Sequence, residues 1–197
     1  MPIRVIAGIA KGRKLNLVPG DSTRPVMDKV KQALFNILGR DVIDSNFLDL
    51  FAGTGSVGIE ALSRGAERAV FIEMDGMAVK TIQENLKLTK FGDKAVIRRT
   101  DVFSFLKQPP AEPFDFIYVA PPQYKDMWLK ALHALDDNPT WVPPGTIVVV
   151  QLDPTERQEV ALKHLEAYDE RRYGKTIIWF FEARTPESTD AEDTPNG

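Results

Sequence analysis

Three glycines, Gly53, Gly55 and Gly58, stand in LDLFAGTGSVG, with Asp49 four residues before the first of them and Glu73 closing the apolar run AVFIE. Residues of these types at this spacing can hold a nucleoside. Glycine admits positive φ and lets a ligand approach the main chain, and the helix expected after the loop opens with unpaired N–H donors. An acid at the tip of the next strand is placed to accept hydrogen bonds from ribose hydroxyls, so an adenosine-bearing cofactor is expected. Two such cofactors stay open, a dinucleotide and S-adenosylmethionine. Asp49 favours the second, because a carboxylate there would face a cation such as the methionine ammonium and would repel a pyrophosphate. Asp101, after the third strand in IRRTDVF, is placed to accept from the adenine amine, with Val102 or Phe103 over the ring. The same aspartate also reads as the N-cap of the short helix VFSFLK.

A second constellation ends the run FDFIYVA: Ala120, Pro121, Pro122, Gln123 and Tyr124. In an open parallel sheet the first and fourth strands flank the crevice in which ligands lie, beyond the carboxyl ends of the strands. Prolines donate no N–H and have a fixed φ, so this corner offers stiff carbonyl acceptors to a substrate that brings N–H donors, such as the exocyclic amine of a base. Tyr124 is placed to stack on that base. The proline pairs in KQPPAEP and WVPPG read as loop spacers.

These groups need a frame that gathers strand ends. From Phe47 onward, short apolar runs alternate with helical ones: strand FLDLF, helix VGIEALSRG, strand AVFIE, helix AVKTIQENLKLTKFG, strand AVIR, short helix VFSFLK, strand FDFIYVA, helix YKDMWLKALHAL, strand GTIVVVQL. Strands separated in this way predict parallel βαβ units and an α/β, doubly wound sheet with helices on both faces. A further helix is expected over 156–165, followed by a hairpin of AYDERRY and KTIIWFFEA about Gly174. Upstream, IRVIAGIAKGRKLNLV alternates about Lys11 and Gly12 and predicts a β-hairpin. Val30, Ala33, Leu34, Ile37 and Leu38 then form one helical stripe that stops at Gly39. The expected division is a basic hairpin and helix over 1–45, the α/β domain over 46–183 and a disordered acidic tail over 184–197.

The 197 residues, 43% hydrophobic and 27% charged, suit one globular domain. There is no cysteine, which excludes disulfides and thiolate–metal sites, and His133 and His164 are too far apart in sequence to suggest a metal site. No leader-like segment and no run of about 20 apolar residues is present, so a cytosolic, membrane-free monomer without metal is expected. The net charge of −3 hides a gradient. Residues 1–40 hold eight Lys and Arg against two acids, whereas 182–197 hold five acids and one arginine. Such asymmetry fits a basic arm that touches phosphates, with Arg4, Lys11, Arg13, Lys14 and Arg24 as its contacts.

The motifs RPVMDKVKQALF and FAGTGSVGIEALSRGA, together with FIEMD and the Pro-Pro corner, resemble the class I S-adenosylmethionine-dependent methyltransferases. More narrowly they resemble the RsmD-type enzymes, which methylate the 2-amino group of one guanine in 16S ribosomal RNA. The resemblance runs from RVIAG to FFEA. It implies a mostly parallel, Rossmann-like sheet of seven strands with a final antiparallel hairpin, S-adenosylmethionine as cofactor, and 16S ribosomal RNA or the small ribosomal subunit as partner. It implies cofactor contacts at Asp49, Phe51, Gly53, Thr54, Gly55, Glu73, Met74, Asp101 and Val102, and a target-base site at Ala120, Pro121, Pro122, Gln123 and Tyr124. Arg24 and Pro25 would sit over the cofactor or the RNA. One departure falls at the chemistry, since the family pattern is Asp or Asn, Pro, Pro, then Tyr or Phe. Ala120 lacks the side-chain oxygen that accepts from the amine, and Gln123 stands at the aromatic position with Tyr124 one residue later. The Gln123 oxygen is the expected substitute. Other functions that the residues allow are methylation of another planar amine (DNA adenine or protein glutamine), an RNA assembly factor that binds cofactor with little turnover, and a dehydrogenase, which Asp49 disfavours.

Overall fold

The computed structural model describes residues 3–20, 26–123 and 126–184. A seven-stranded sheet is built from β3 (Asn46–Asp49), β4 (Arg68–Glu73), β5 (Ala95–Arg99), β6 (Phe116–Val119), β7 (Ile147–Leu152), β8 (Leu165–Tyr173) and β9 (Thr176–Ala183). Their spatial order is β5-β4-β3-β6-β7-β9-β8. The first five pair in parallel and β9 runs antiparallel to both β7 and β8. The doubly wound sheet and its closing hairpin therefore match the expectation. The inner parallel strands β3, β4, β6 and β7 are largely apolar on both sides because both faces are covered, whereas edge strand β5 ends in exposed Arg98 and Arg99. Phe47, Phe116 and Tyr118 enter one core with α1 (Asp28–Leu38), α2 (Ser56–Ser63) and α3 (Gly76–Thr89). Leu48, Ile117 and Val119 enter the other core with α4 (Val102–Leu106) and α5 (Met127–Asp136).

One local expectation needs correction. Residues 157–164 form no helix, and only Pro154–Glu156 make a single 3-10 turn. The buried Asp136 carboxylate at the end of α5 captures the backbone N–H groups of Lys163, His164 and Leu165 at 2.7, 2.8 and 2.9 Å. Donors held sideways by an acid cannot enter an i to i−4 ladder, so the segment runs irregularly into β8. The expected N-terminal hairpin is present, its antiparallel strands β1 (Ile3–Arg4) and β2 (Lys14–Leu15) pairing Ile3 with Leu15. The residues between them close through Gly12 N–H to Val5 O at 2.9 Å, and the N–H groups of Ile6, Ala7, Ile9 and Ala10 donate to Glu60 and Ser63 of α2. Arg24 and Tyr124, and the tail after residue 184, lie outside the described residues. Among the described residues no helix is long and apolar enough to cross a membrane, and no cluster of three potential ligands could hold a metal.

Candidate active site

The strand order places β3 between β4 and β6, so the loops after these strands open at one mouth. Asp49 ends β3 and is 1% exposed. Among the described residues its Oδ1 has no hydrogen-bond partner. Burial raises the Asp49 carboxyl to about 7 and the charge of Glu73 adds to the rise, while the N–H groups of Gly58 and Phe51 oppose it. A buried carboxylate with an empty acceptor is stabilised by a cation or donor brought from outside. An ammonium group fits that need.

The glycine loop is set around this acid. Gly53 and Gly55 both hold positive φ, 54° and 76°, and no described residue lies within 4 Å of where a Gly53 Cβ would stand, which leaves its backbone open to a ligand. Gly58 is required for a different reason: a Cβ there would lie 2.4 Å from the Phe71 ring and push α2 off the sheet. Glu73 bridges the loop to its own strand end, with Oε2 accepting from Gly53 N–H and Oε1 from Asp75 N–H, both at 2.9 Å. Each oxygen keeps a further lone pair. Exposed Met74 and half-buried Phe51 flank the opening. Asp101 does cap α4, its Oδ1 accepting Ser104 N–H at 2.9 Å, with Val102 buried behind it. A cap uses one of the two carboxylate oxygens.

The Pro-Pro corner leaves β6 on the other side of β3. Asp49 and Tyr118 are direct cross-strand neighbours, and Leu50 N–H donates to Tyr118 O at 3.0 Å. Ala120 and Pro121 are half-buried, whereas Pro122 and Gln123 are exposed. Beneath the corner lies a bond that residue types alone did not reveal. The buried Tyr118 hydroxyl donates to Gln151 Oε1 on β7 at 2.5 Å. Burial, and after it the Asp49 charge, push that hydroxyl well above its ordinary range.

The arm is fastened by side chains that the sequence patterns also passed over. Glu60, fully buried on α2, accepts from Ile6 N–H at 2.8 Å, Ala7 N–H at 3.0 Å and Arg64 Nε at 2.8 Å. Lys31 Nζ lies 3.7 Å from Glu60 and donates to Arg4 O at 2.6 Å. Burial lowers the Lys31 ammonium below its usual range and Glu60 opposes that shift. Asn85 on α3 accepts Asn16 N–H at 2.7 Å and donates to both Asn16 O and Thr54 O, so it ties the arm to the glycine loop. A lone acid inside the apolar stretch VGIEALS was the available signal for Glu60. Of the expected RNA contacts, Arg4 pairs with Asp28 at 3.0 Å. Lys11, Arg13 and Lys14 are exposed. A shallow depression lined by Asn16, Glu84, Lys87 and Leu88 shares no residue with the mouth.

Residues 3–182 match the family model described as Conserved hypothetical protein 95. The chain is 36% identical over 153 residues to Ribosomal RNA small subunit methyltransferase D of Haemophilus influenzae, across 77% of this chain and 79% of that protein. Its backbone resembles the solved structure of yhhF from Escherichia coli at a TM-score of 0.82 and 31% identity, covering 93% of this chain and 98% of that one. It shares the fold of an RNA methyltransferase from Salinibacter ruber solved in complex with S-adenosyl-L-homocysteine, with a TM-score of 0.61 and 20% identity over 85% and 100% of the two chains.

Proposed function

The chain belongs to the family described as conserved hypothetical protein 95, the RsmD-type methyltransferases, and from that premise we propose that it methylates the exocyclic 2-amino group of a guanine in 16S ribosomal RNA with S-adenosylmethionine. The observation that carries the proposal is the orphaned Asp49 Oδ1 beside an open glycine loop, a site that fits a ligand with an ammonium at one end and a nucleoside at the other. When bound, S-adenosylmethionine supplies a methyl carbon made electrophilic by its sulfonium; the acceptor nitrogen gains that methyl and loses one proton to solvent. The chain's own residues bind and align. Asp49 would hold the ammonium, Glu73 would take the ribose hydroxyls, Phe51, Met74 and Val102 would line the adenine, and the second oxygen of Asp101 would meet the adenine amine. One of the Ala120 and Pro121 carbonyls would accept from the target amine, and Tyr124 would stack on the base. Lys11, Arg13 and Lys14 meet phosphates, the sequence-independent part of RNA affinity.

Ala120 slows this chemistry without abolishing it. Alignment of bound reactants lowers a barrier by about 7 to 11 kcal/mol, whereas losing one placed polar group costs about 2.7 to 4 kcal/mol. Mass mapping of 16S RNA from cells that lack the protein, before and after adding purified protein and cofactor, tests the proposal. One guanine is expected to gain 14 mass units, with the methyl on its 2-amino group. Methylation of another base, or cofactor binding with no methyl incorporated, would replace it with one of the other readings that Ala120 leaves open.

A further inference from the structure

We propose that Gln151, oriented by Tyr118, supplies the hydrogen-bond acceptor for the target amine that Ala120 cannot supply. The inference rests on the function proposed above and deepens it at the same site. Val119 pairs with Val150 in the parallel β6–β7 ladder, so the next residues, Ala120 and Gln151, are neighbours at the strand ends. They also share a face. Tyr118, Val149 and the half-buried Ala120 all belong to the core on the α1, α2 and α3 side, and Gln151 pairs with Ile178 of that same core. Adjacent strands stand about 4.8 Å apart, so a Gln151 amide reaches the space above the Ala120 methyl group. An acid or amide at 120 would fill that space itself.

The chemistry of the amide suits the task. Tyr118 Oη–H donates to Gln151 Oε1 at 2.5 Å, which fixes the amide plane and uses one of two lone pairs on that oxygen. The second lone pair accepts an amine N–H, and Nε2 offers donors beside it. A guanine carries its 2-amine next to the N3 acceptor, and a side-chain amide meets such a donor–acceptor edge with two parallel bonds, as Asn and Gln do on adenine. Asp49, Tyr118 and Gln151 thus form a row across β3, β6 and β7, one end awaiting a cation and the other an amine. Gln123, by contrast, is exposed beyond the corner.

The test uses small ribosomal subunits from cells lacking the protein, with kcat, KM and S-adenosylhomocysteine affinity measured for each variant. Gln151→Ala is expected to lower kcat about tenfold, the scale of one hydrogen bond, with S-adenosylhomocysteine affinity unchanged. Ala120→Asp added to Gln151→Ala is expected to restore most of the lost rate, because it returns an acceptor to the same space. The gain from Ala120→Asp is expected to be smaller in the parent than in Gln151→Ala, because in the parent Gln151 already serves that space; equal gains in both backgrounds would show that the two positions act independently and overturn the inference. Parent kcat in Gln151→Ala, failure of that rescue, or loss of S-adenosylhomocysteine binding in both Gln151→Ala and Gln151→Glu overturns the inference while leaving the proposed function in place. A parent protein that methylates no guanine removes both.

Discussion

Glu60 and Asp49 are both buried acids, on either side of one glycine loop, and the protein treats them in opposite ways. Glu60 accepts two backbone N–H groups and the Arg64 guanidinium, with Lys31 close by. Asp49 is left with an empty Oδ1 and a carboxyl raised to about 7. A buried charge that its own chain satisfies locks structure, and one left unsatisfied awaits something from outside. The first acid fastens the basic arm and α1 to α2. The second costs stability as it stands, a cost that the ammonium of the proposed cofactor would offset.

The largest expected effect breaks the satisfied partner. Glu60→Gln leaves Lys31 buried without its anion and is expected to lower unfolding stability by about 3 to 5 kcal/mol in denaturant titrations. Asp49→Asn should do the reverse. A carboxyl raised from 3.8 to about 7 on folding penalises the ionised folded state, a penalty absent below pH 4, growing between 4 and 7 and complete above 7. The variant is therefore expected to gain stability on the order of 4 kcal/mol at pH 8 and nothing at pH 4. Equal stability at both pH values would show that the acid is not strained by burial. Smaller still is Asn85→Ala, which cuts the tie between Asn16 and Thr54. It is expected to lose about 1 to 3 kcal/mol and to weaken S-adenosylhomocysteine binding through the loosened loop, with Asp49 intact. Unchanged ligand affinity in that variant would confine Asn85 to fastening the arm.

The frame, and the placement of the glycine loop with acids at the strand tips, were legible because they depend on local patterns: continuous apolar runs for doubly covered strands, and glycines that follow a strand and open a helix. What escaped depends on side chains reaching across the fold. Lys31 lies beside the apolar stripe of α1 and reads as a solvent residue until Glu60 is placed opposite it. Asn85 sits mid-helix, and its partners are 69 and 31 residues away. The bond from Tyr118 to Gln151 follows only from the β6–β7 register. The segment 157–164 has residues a helix tolerates, and it is the Asp136 carboxylate, not the segment's own composition, that decides against one.

Calorimetric titration of S-adenosylhomocysteine between pH 5.5 and 8 tests the role of Asp49 most directly. An ammonium that pairs with the ionised carboxylate must expel its proton below about pH 7, so affinity is expected to fall about tenfold for each pH unit below that point, and Asp49→Asn is expected to bind weakly with no such slope. Affinity that stays level across the range in the parent protein, or equally tight binding by Asp49→Asn, would contradict the assignment of this acid to the cofactor.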